Sequence, residues 1–226
     1  MNLNYIDFGG IPIGIYNDGP IGVSISGGAD SALLLYMLMS NVTQPIHIYN
    51  MWSSSRKFSF AKSIDNVIAV CSKLTGNVNY TVHKVQVEPK ESIEFCVNML
   101  SNALNKDIDI IYLGLTKFPP KQVYLQFEQQ QQDWHNEFRS DEIVHPLFGL
   151  TINEGPDTSS SLDNRAYVPL FNYNKKDIAR LYKLFDLENT LLPVTRSCED
   201  DDHPDSHCGK CWWCQERLWA FGHLGE

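Results

Sequence analysis

The sequence predicts an α/β fold built on a mostly parallel sheet. Three observations predict it. Apolar runs of strand length alternate with amphipathic helical stretches along the 226 residues. The first such pair is joined by Ser26-Gly-Gly-Ala-Asp-Ser31, with two glycines at a strand-to-helix turn. At the other end, four cysteines crowd between residues 198 and 214.

The length suits one α/β domain with a sizeable core. A formal net charge of −9 argues against a nucleic-acid surface, which needs clustered Lys and Arg. No run of about 18 apolar residues is present to make a transmembrane helix. The start, Met1 to Asp7, lacks the basic-then-apolar pattern of a signal peptide. Crowded cysteines without an export signal read as metal ligands rather than disulfides, so the expected setting is a reducing cytoplasm.

Residues 1–20, rich in Gly, Pro and Asn, are expected to form an irregular arm or an edge strand. Ile21-Gly-Val-Ser-Ile25 reads as a buried strand, and Ala32–Met39 as a buried helix running to Ser40. Gly27 and Gly28 between them permit a tight turn and a close ligand. The first N–H groups of the helix lack internal partners and, with the helix dipole, make an anion site. Ser26 and Ser31 add hydroxyls. Asp30 does not suit a bare anion, but it suits a phosphate carried with Mg²⁺. Neither Gly-x4-Gly-Lys-Ser/Thr nor Gly-x-Gly-x-x-Gly occurs at this turn.

Ile46–Met51 is the second expected strand. Ligands of a parallel sheet sit at the carboxyl ends of its strands. That places Tyr49 to Trp52, Asn50 among them, and Ser24 of the first strand near a nucleotide. Ser59–Thr75 has helical apolar spacing with Gly76 as its C-cap. Val78–Val87 alternates as a third strand, and Glu91–Asn105 is a further amphipathic helix. Cys71 and Cys96 lie on the apolar stripes of these two helices and read as core. Ile108–Leu113 is the fourth strand. Gly114-Leu-Thr116 then lies at the carboxyl edge of the sheet. Gly114 is either an ordinary strand-ending glycine or a point where backbone approaches ribose or phosphate.

Gln126–Gln132 extends a helix toward Phe138, and Asn153–Asn164 reads as a long loop or lid over the substrate. Order returns at Val168-Pro-Leu-Phe171. Asn174 looks like an N-cap with acidic Asp177 at the third helical position, opening a helix to Phe185. Lys175 and Lys176 stand where the helix dipole disfavours cations. They are either solvated or aimed at an anionic ligand.

Cys198-x9-Cys208-Gly-Lys-Cys211-Trp-Trp-Cys214 supplies four thiolates at spacings that suit a closed structural zinc site. An iron–sulfur cluster is the competitor. His203 and His207 are available as substitute ligands. Gln215–Leu224 is the terminal helix, with Leu218, Trp219 and Phe221 inward. Trp212 and Trp213 suit either core or interface.

Ser26-Gly-Gly-Ala-Asp-Ser31 resembles the pyrophosphate loop of the N-type ATP pyrophosphatases, Ser-Gly-Gly-x-Asp-Ser. With Lys175-Lys-Asp-Ile178, Thr195-Arg-Ser-Cys198, the Cys208–Cys214 knuckle, Glu216-Arg217 and Ala220-Phe221, the chain resembles the 7-cyano-7-deazaguanine synthase family. The resemblance covers both ends and the spacing between them. It departs in the middle, where Ser54-Ser-Arg-Lys57 stands for the family's Gly-Gln-Arg-His and Pro89-Lys-Glu-Ser92 for Pro-x-Arg-Asn.

The resemblance implies a Rossmann-like adenine-nucleotide alpha-hydrolase fold, with a five-stranded, mostly parallel sheet and helices on both faces. Residues 1–190 would form the ATP pyrophosphatase domain, and 191–226 a zinc-bearing appendage packed on it. It implies a ligase of queuosine biosynthesis that uses Mg²⁺-ATP and ammonia on 7-carboxy-7-deazaguanine. The carboxylate is adenylated, the amide forms, and a second activation leaves the nitrile. The implied ATP and Mg²⁺ residues are Ser24, Ser26, Gly27, Gly28, Asp30, Ser31, Asn50, Gly114, Thr116 and Lys175. Of these, Asp30, Ser31 and Lys175 would serve catalysis. Cys198, Cys208, Cys211 and Cys214 would hold Zn²⁺. The family's homodimer is implied too. The alternatives are an enzyme that stops at the amide, one that amidates or thiolates another substrate such as a tRNA base, and an ATP-binding sensor without turnover.

Overall fold

The computed structural model describes residues 3–53, 60–87, 100–128, 165–198, 200, 202–203 and 206–225. The stretches 54–57 and 89–92, Cys96 and the loop Asn153–Asn164 lie outside the described residues.

The chain opens with a hairpin, β1 (Leu3–Asp7) and β2 (Pro12–Tyr16), which forms its own antiparallel sheet in the register Leu3 opposite Tyr16 through Asp7 opposite Pro12. Gly9 and Gly10 take positive φ at its turn, as a tight reversal requires. The expected irregular arm is therefore a paired element. Its anchors lie far along the chain. The Tyr112 hydroxyl accepts from the Tyr16 N–H at 2.9 Å and donates to the Gly14 carbonyl at 3.0 Å, and the Tyr167 hydroxyl accepts from the Gly14 N–H at 3.1 Å.

The main sheet has five strands: β3 (Ile21–Ser24), β4 (Ile46–Ser53), β5 (Tyr80–Val87), β6 (Ile110–Leu113) and β7 (Ala166–Tyr167). Their order is β5-β4-β3-β6-β7, and every pairing is parallel. The helices are α1 (Ala29–Asn41), α2 (Phe60–Thr75), α3 (residues 100–106), α4 (Lys121–Glu128), α5 (Lys175–Leu184) and α6 (Trp212–Phe221), with a short 3-10 turn at Leu192–Val194.

A parallel sheet is buried on both faces, so its strands read as continuous apolar runs rather than alternating ones. Ile110 and Tyr112 join one cluster with Val23, Ile48, Leu34, Ile64, Val67 and Ile178, drawn from α1, α2 and α5. Ile111 and Leu113 point the other way, onto Tyr49, Leu100, Ala103, Leu104 and Ile108. Helices thus cover both faces. α1 is the central one, with nine of its thirteen residues buried; a helix apolar on all sides belongs in a core. Gly76, with φ +71°, ends α2. The Asn77 amide then donates to the carbonyls of Met39 and Val42, both at 3.1 Å, and ties the exit of α2 to the end of α1. Among the described residues no helix is long and apolar enough to cross a membrane.

Candidate active site

The site is built where β3 stops. α1 begins at Ala29, three residues earlier than its apolar run suggests, so Asp30 and Ser31 sit in its first turn. Gly28 is the N-cap in extended conformation and supplies no side-chain cap. The first-turn N–H groups of α1 therefore have neither a helical nor a side-chain cap partner. An acidic residue in the first turn complements the dipole. Gly27 holds φ +84°.

The loop is braced internally. The Ser31 hydroxyl accepts from the Ser26 N–H at 3.2 Å and donates to the Gly28 carbonyl at 3.2 Å. The two serine hydroxyls lie 3.2 Å apart, and the Gly28 N–H donates to the Ser26 hydroxyl at 3.3 Å. Ser31 is buried while Ser26 is exposed. Gly114 lies against this turn. A β-carbon there would stand 2.6 Å from Ser31 Cα and 2.9 Å from Ser31 N. The packing gives this glycine a structural reason: only glycine lets the end of β6 reach the first turn of α1.

Asp30 is where the remote parts of the chain meet. Its Oδ2 accepts a short hydrogen bond from Lys175 Nζ and a 3.3 Å bond from the Thr116 hydroxyl. Its Oδ1 is buried with no hydrogen-bond partner among the described residues. Lys175 opens α5, which carries the expected capping box. The Asn174 side chain accepts from the Lys176 N–H at 2.9 Å, and Asp177 accepts from the Asn174 N–H at 2.9 Å. The two lysines part company here. Lys175 is buried, whereas Lys176 is exposed with its ammonium 4.8 Å from the Trp219 ring centre. Burial alone would push the Lys175 ammonium down. The carboxylates of Asp30 and Glu216 nevertheless hold it above the usual lysine value, while Arg217 acts against them.

Asn50 is buried in β4, one residue past Tyr49, the register partner of Ser24. Its Nδ2 donates to the Ile25 carbonyl at 3.1 Å, and its Oδ1 has no hydrogen-bond partner among the described residues. Ser24 ends β3 in register with Tyr49 and Leu113. Both residues lie at the carboxyl edge of the sheet, on the strands that flank the loop.

The C-terminal segment is strapped to the loop. The Arg196 N–H donates to the Gly27 carbonyl at 2.8 Å, and the Ser63 hydroxyl donates to the Val194 carbonyl at 3.0 Å. Beyond it, the Sγ atoms of Cys198, Cys208, Cys211 and Cys214 all lie within 4.8 Å of one another. Cys208 and Cys214 sulfurs are 3.9 Å apart, and those of Cys211 and Cys198 are 4.0 Å apart. In a tetrahedral zinc site with zinc–sulfur bonds of about 2.3 Å, sulfurs stand about 3.8 Å apart. Backbone N–H groups of Lys210 and Cys211 donate to Cys208 Sγ at 3.4 and 3.2 Å, and that of Cys208 donates to Cys198 Sγ at 3.4 Å. Such donors favour thiolate. The hydrogen bond of the Cys214 thiol to Cys211, and then burial, push that thiol up, and burial does the same for Cys198. Four sulfurs so close resist ionising together, a cost a cation offsets. The donor set fits a metal.

α6 differs from the expected terminal helix. It starts at Trp212, and its buried residues are Trp212, Cys214, Glu216 and Arg217; Leu218, Trp219 and Phe221 are half-buried, and of these Phe221 packs against the core, its ring 5.4 Å from that of Tyr182. The fully buried Arg217 donates to Thr195 Oγ1 at 2.9 Å, Ser197 Oγ at 3.2 Å and the carbonyls of Leu192 at 2.8 Å and Leu224 at 2.7 Å. Trp212 is core, edge-on to Phe118 at 6.0 Å and Phe127 at 5.9 Å. Glu216 was not among the expected site residues. Its Oε2 lies 3.6 Å from Lys175 Nζ, and both side chains are nearly inaccessible to water.

Residues 147–225 match the family model of the queuosine biosynthesis protein QueC. Among solved structures, the chain is similar to the U34-tRNA thiolase NcsA from Methanococcus maripaludis, which carries a 4Fe-4S cluster. The identity is 14% and the TM-score 0.40, over 76% of this chain and 58% of that one, so this chain spans less than two thirds of the thiolase. It is also similar to NMN synthetase from Francisella tularensis, at 10% identity and TM-score 0.43, over 91% of this chain and 84% of that one. Comparison with curated proteins gives no match. The chain resembles QueC over the stretch that carries Lys175, Glu216 and the four cysteines, and so agrees with the family whose motifs its sequence displays.

Proposed function

We propose that the chain is a Mg²⁺-ATP-dependent enzyme that adenylates the carboxylate of 7-carboxy-7-deazaguanine and, with ammonia, converts it to the amide and then to the nitrile. The observation that carries this reading is the meeting of Asp30, Thr116 and Lys175 over the open first turn of α1. The match of residues 147–225 to QueC supports the acceptor. In this reading residues 1–190 carry the nucleotide chemistry and 191–226 form the metal-bearing appendage.

A carboxylate oxygen is a poor leaving group until AMP is attached. The substrate carboxylate attacks the α-phosphorus of ATP, and pyrophosphate departs with the bonding pair. Ammonia then adds to the acyl carbon and expels AMP, leaving the amide. In the second round the amide oxygen attacks the α-phosphorus of a second ATP, pyrophosphate departs and the nitrogen gives up one proton; expulsion of AMP with loss of the second N–H proton then leaves the nitrile. Main-chain N–H groups of Gly27, Gly28 and the first turn of α1 receive the charge that develops on pyrophosphate. Ser26 and Ser31 orient it, and Lys175 neutralises it. Gly114 and Thr116 hold the neighbouring strand edge against the loop, while Ser24 and Asn50 line the nucleotide edge of the sheet.

The orphaned Oδ1 of Asp30 fits a Mg²⁺ ligand, and Mg²⁺ there supplies charge stabilisation on the phosphates. We assign zinc to the four cysteines, in a structural role, because a closed four-sulfur site leaves no position for water. Metal analysis of the purified protein should find about one zinc per chain. Iron with acid-labile sulfide would replace that assignment. Thiolation is the weaker alternative. Cys71 is fully buried and its thiol is pushed up to about 12 by burial, the opposite of a reactive thiolate.

Mass spectrometry of a reaction with ATP, Mg²⁺, ammonia and 7-carboxy-7-deazaguanine tests the proposal. AMP with nitrile is expected. AMP with amide alone would end the reaction one step earlier. Neither AMP nor product from a protein that binds ATP would overturn the acceptor.

A further inference from the structure

Glu216 is a buried carboxylate on the helix that follows the cysteine knuckle, and it faces the ATP loop. Its Oε2 is 3.6 Å from Lys175 Nζ, and the two side chains are 4% and 8% exposed. Lys175 in turn contacts Asp30, whose second oxygen is buried and unpartnered among the described residues. The ammonium therefore lies between two carboxylates that come from α1 and α6. In the folded protein water cannot compensate a change of charge here, so each partner matters more than it would on a surface.

Asp30 alone is a poor host for both an ammonium and a divalent cation. Three positive charges would crowd one carboxylate, and at low local dielectric the two cations repel strongly. Arg217 beside them adds further positive charge, though its donors are spent on Thr195, Ser197 and the carbonyls of Leu192 and Leu224. Glu216 is the second negative charge at this point, 3.6 Å from the same ammonium that contacts Asp30.

We propose that Glu216 is a positioning residue for the nucleotide site: it holds the Lys175 ammonium beside the loop and supplies the second carboxylate that lets it remain there when Asp30 takes Mg²⁺. The inference rests on the Mg²⁺-ATP reading above. It also makes α6 a physical link between the cysteine cluster and the phosphates, because Glu216 follows Cys214 by half a turn.

The test is calorimetric binding of α,β-methylene ATP across a Mg²⁺ series, for wild type, Glu216→Gln, Lys175→Met and the double variant, with thermal melts to confirm folding. Glu216→Gln should raise the Mg²⁺ needed for half-maximal binding by about fivefold or more. On the Lys175→Met background the same change should have less than about a twofold effect, because a residue acting through Lys175 has nothing left to act on. Glu216→Asp, which withdraws the charge without removing it, should fall between, and it carries the comparison should the glutamine variant not fold. Wild-type Mg²⁺ dependence in Glu216→Gln, or an equal shift with and without Lys175, overturns the inference. Wild type that does not bind the analogue at any Mg²⁺ concentration overturns the ATP reading, and the inference with it.

Discussion

Residues 25–31 and residues 195–217 are held in different ways. The loop after β3 is set by backbone conformation and braced by two serine hydroxyls. Gly27 takes positive φ, Gly28 caps α1 without a side chain, and Gly114 is a glycine because a β-carbon would meet the Ser31 backbone. The C-terminal segment is a side-chain structure. Four sulfurs converge, and one buried guanidinium collects two hydroxyls and two carbonyls. Losing one group from the loop should therefore harm chemistry more than folding. Losing one from the knuckle should harm folding first.

The sharpest break of this contrast is Asp30→Asn. It should lower AMP formation by about 10³-fold, the scale of losing one preorganised electrostatic contact in a dry site. The cooperative melt should survive, because Glu216 remains as a partner for Lys175. A quenched-flow or coupled AMP assay beside a thermal scan reads both. Next in size is Cys211→Ser, or prolonged exposure of wild type to a strong chelator. Either should lower the melting temperature by about 10 °C, since metal binding free energy is folding free energy. An unchanged melt would make the cluster dispensable to the fold.

Gly114→Ala sits between the two classes. Its β-carbon would overlap Ser31, at a cost of about 1–3 kcal/mol from overpacking. The displaced backbone belongs to the first turn of α1, so KM for ATP should rise more than kcat falls. The smallest effect concerns the far face of the sheet. Burial, then the neighbouring His83, hold the His47 imidazole below the usual histidine value, with the Asp107 carboxylate pulling the other way. Their ring nitrogens lie 3.1 Å apart. The unfolded chain then binds protons more readily than the folded one. That part of stability is present above about pH 6.5 and is lost as pH falls toward the folded value. His47→Gln should flatten the acid side of a stability–pH curve by about one or two degrees of melting temperature, with no change at pH 8.

The two regions also differ in how far the sequence discloses them. Ser26-Gly-Gly-Ala-Asp-Ser31 and the cysteine spacing are contiguous, and local geometry makes them work, so residue order alone reveals them. The parallel strands are legible for a similar reason: Ile21–Ile25, Ile46–Tyr49 and Ile110–Leu113 place apolar residues in the clusters on both faces of the sheet. The start of α1 is less so. Gly28 caps it by backbone conformation, leaving Asp30 and Ser31 helical although the apolar run begins only at Ala32. The N-terminal hairpin is harder still, because the tyrosines that anchor it arrive with β6 and β7.

Charge burial is the least legible feature. Lys175 reads equally as solvated, and nothing in the residue order marks Glu216 as its partner. Topology brings α5 and α6 together over Asp30, and only then do these charges become partners. Apolar periodicity consequently finds Phe221, which packs against the core, but not the more deeply buried Glu216 and Arg217.

In the proposed reaction this loop cuts ATP between its α- and β-phosphates. The most direct measurement is the fate of labelled ATP with and without the 7-deazaguanine carboxylate. The account predicts AMP and pyrophosphate in equal amounts, formed only when the acceptor is present and lost in Asp30→Asn. ADP and orthophosphate would contradict it, since those products come from attack at the γ-phosphorus.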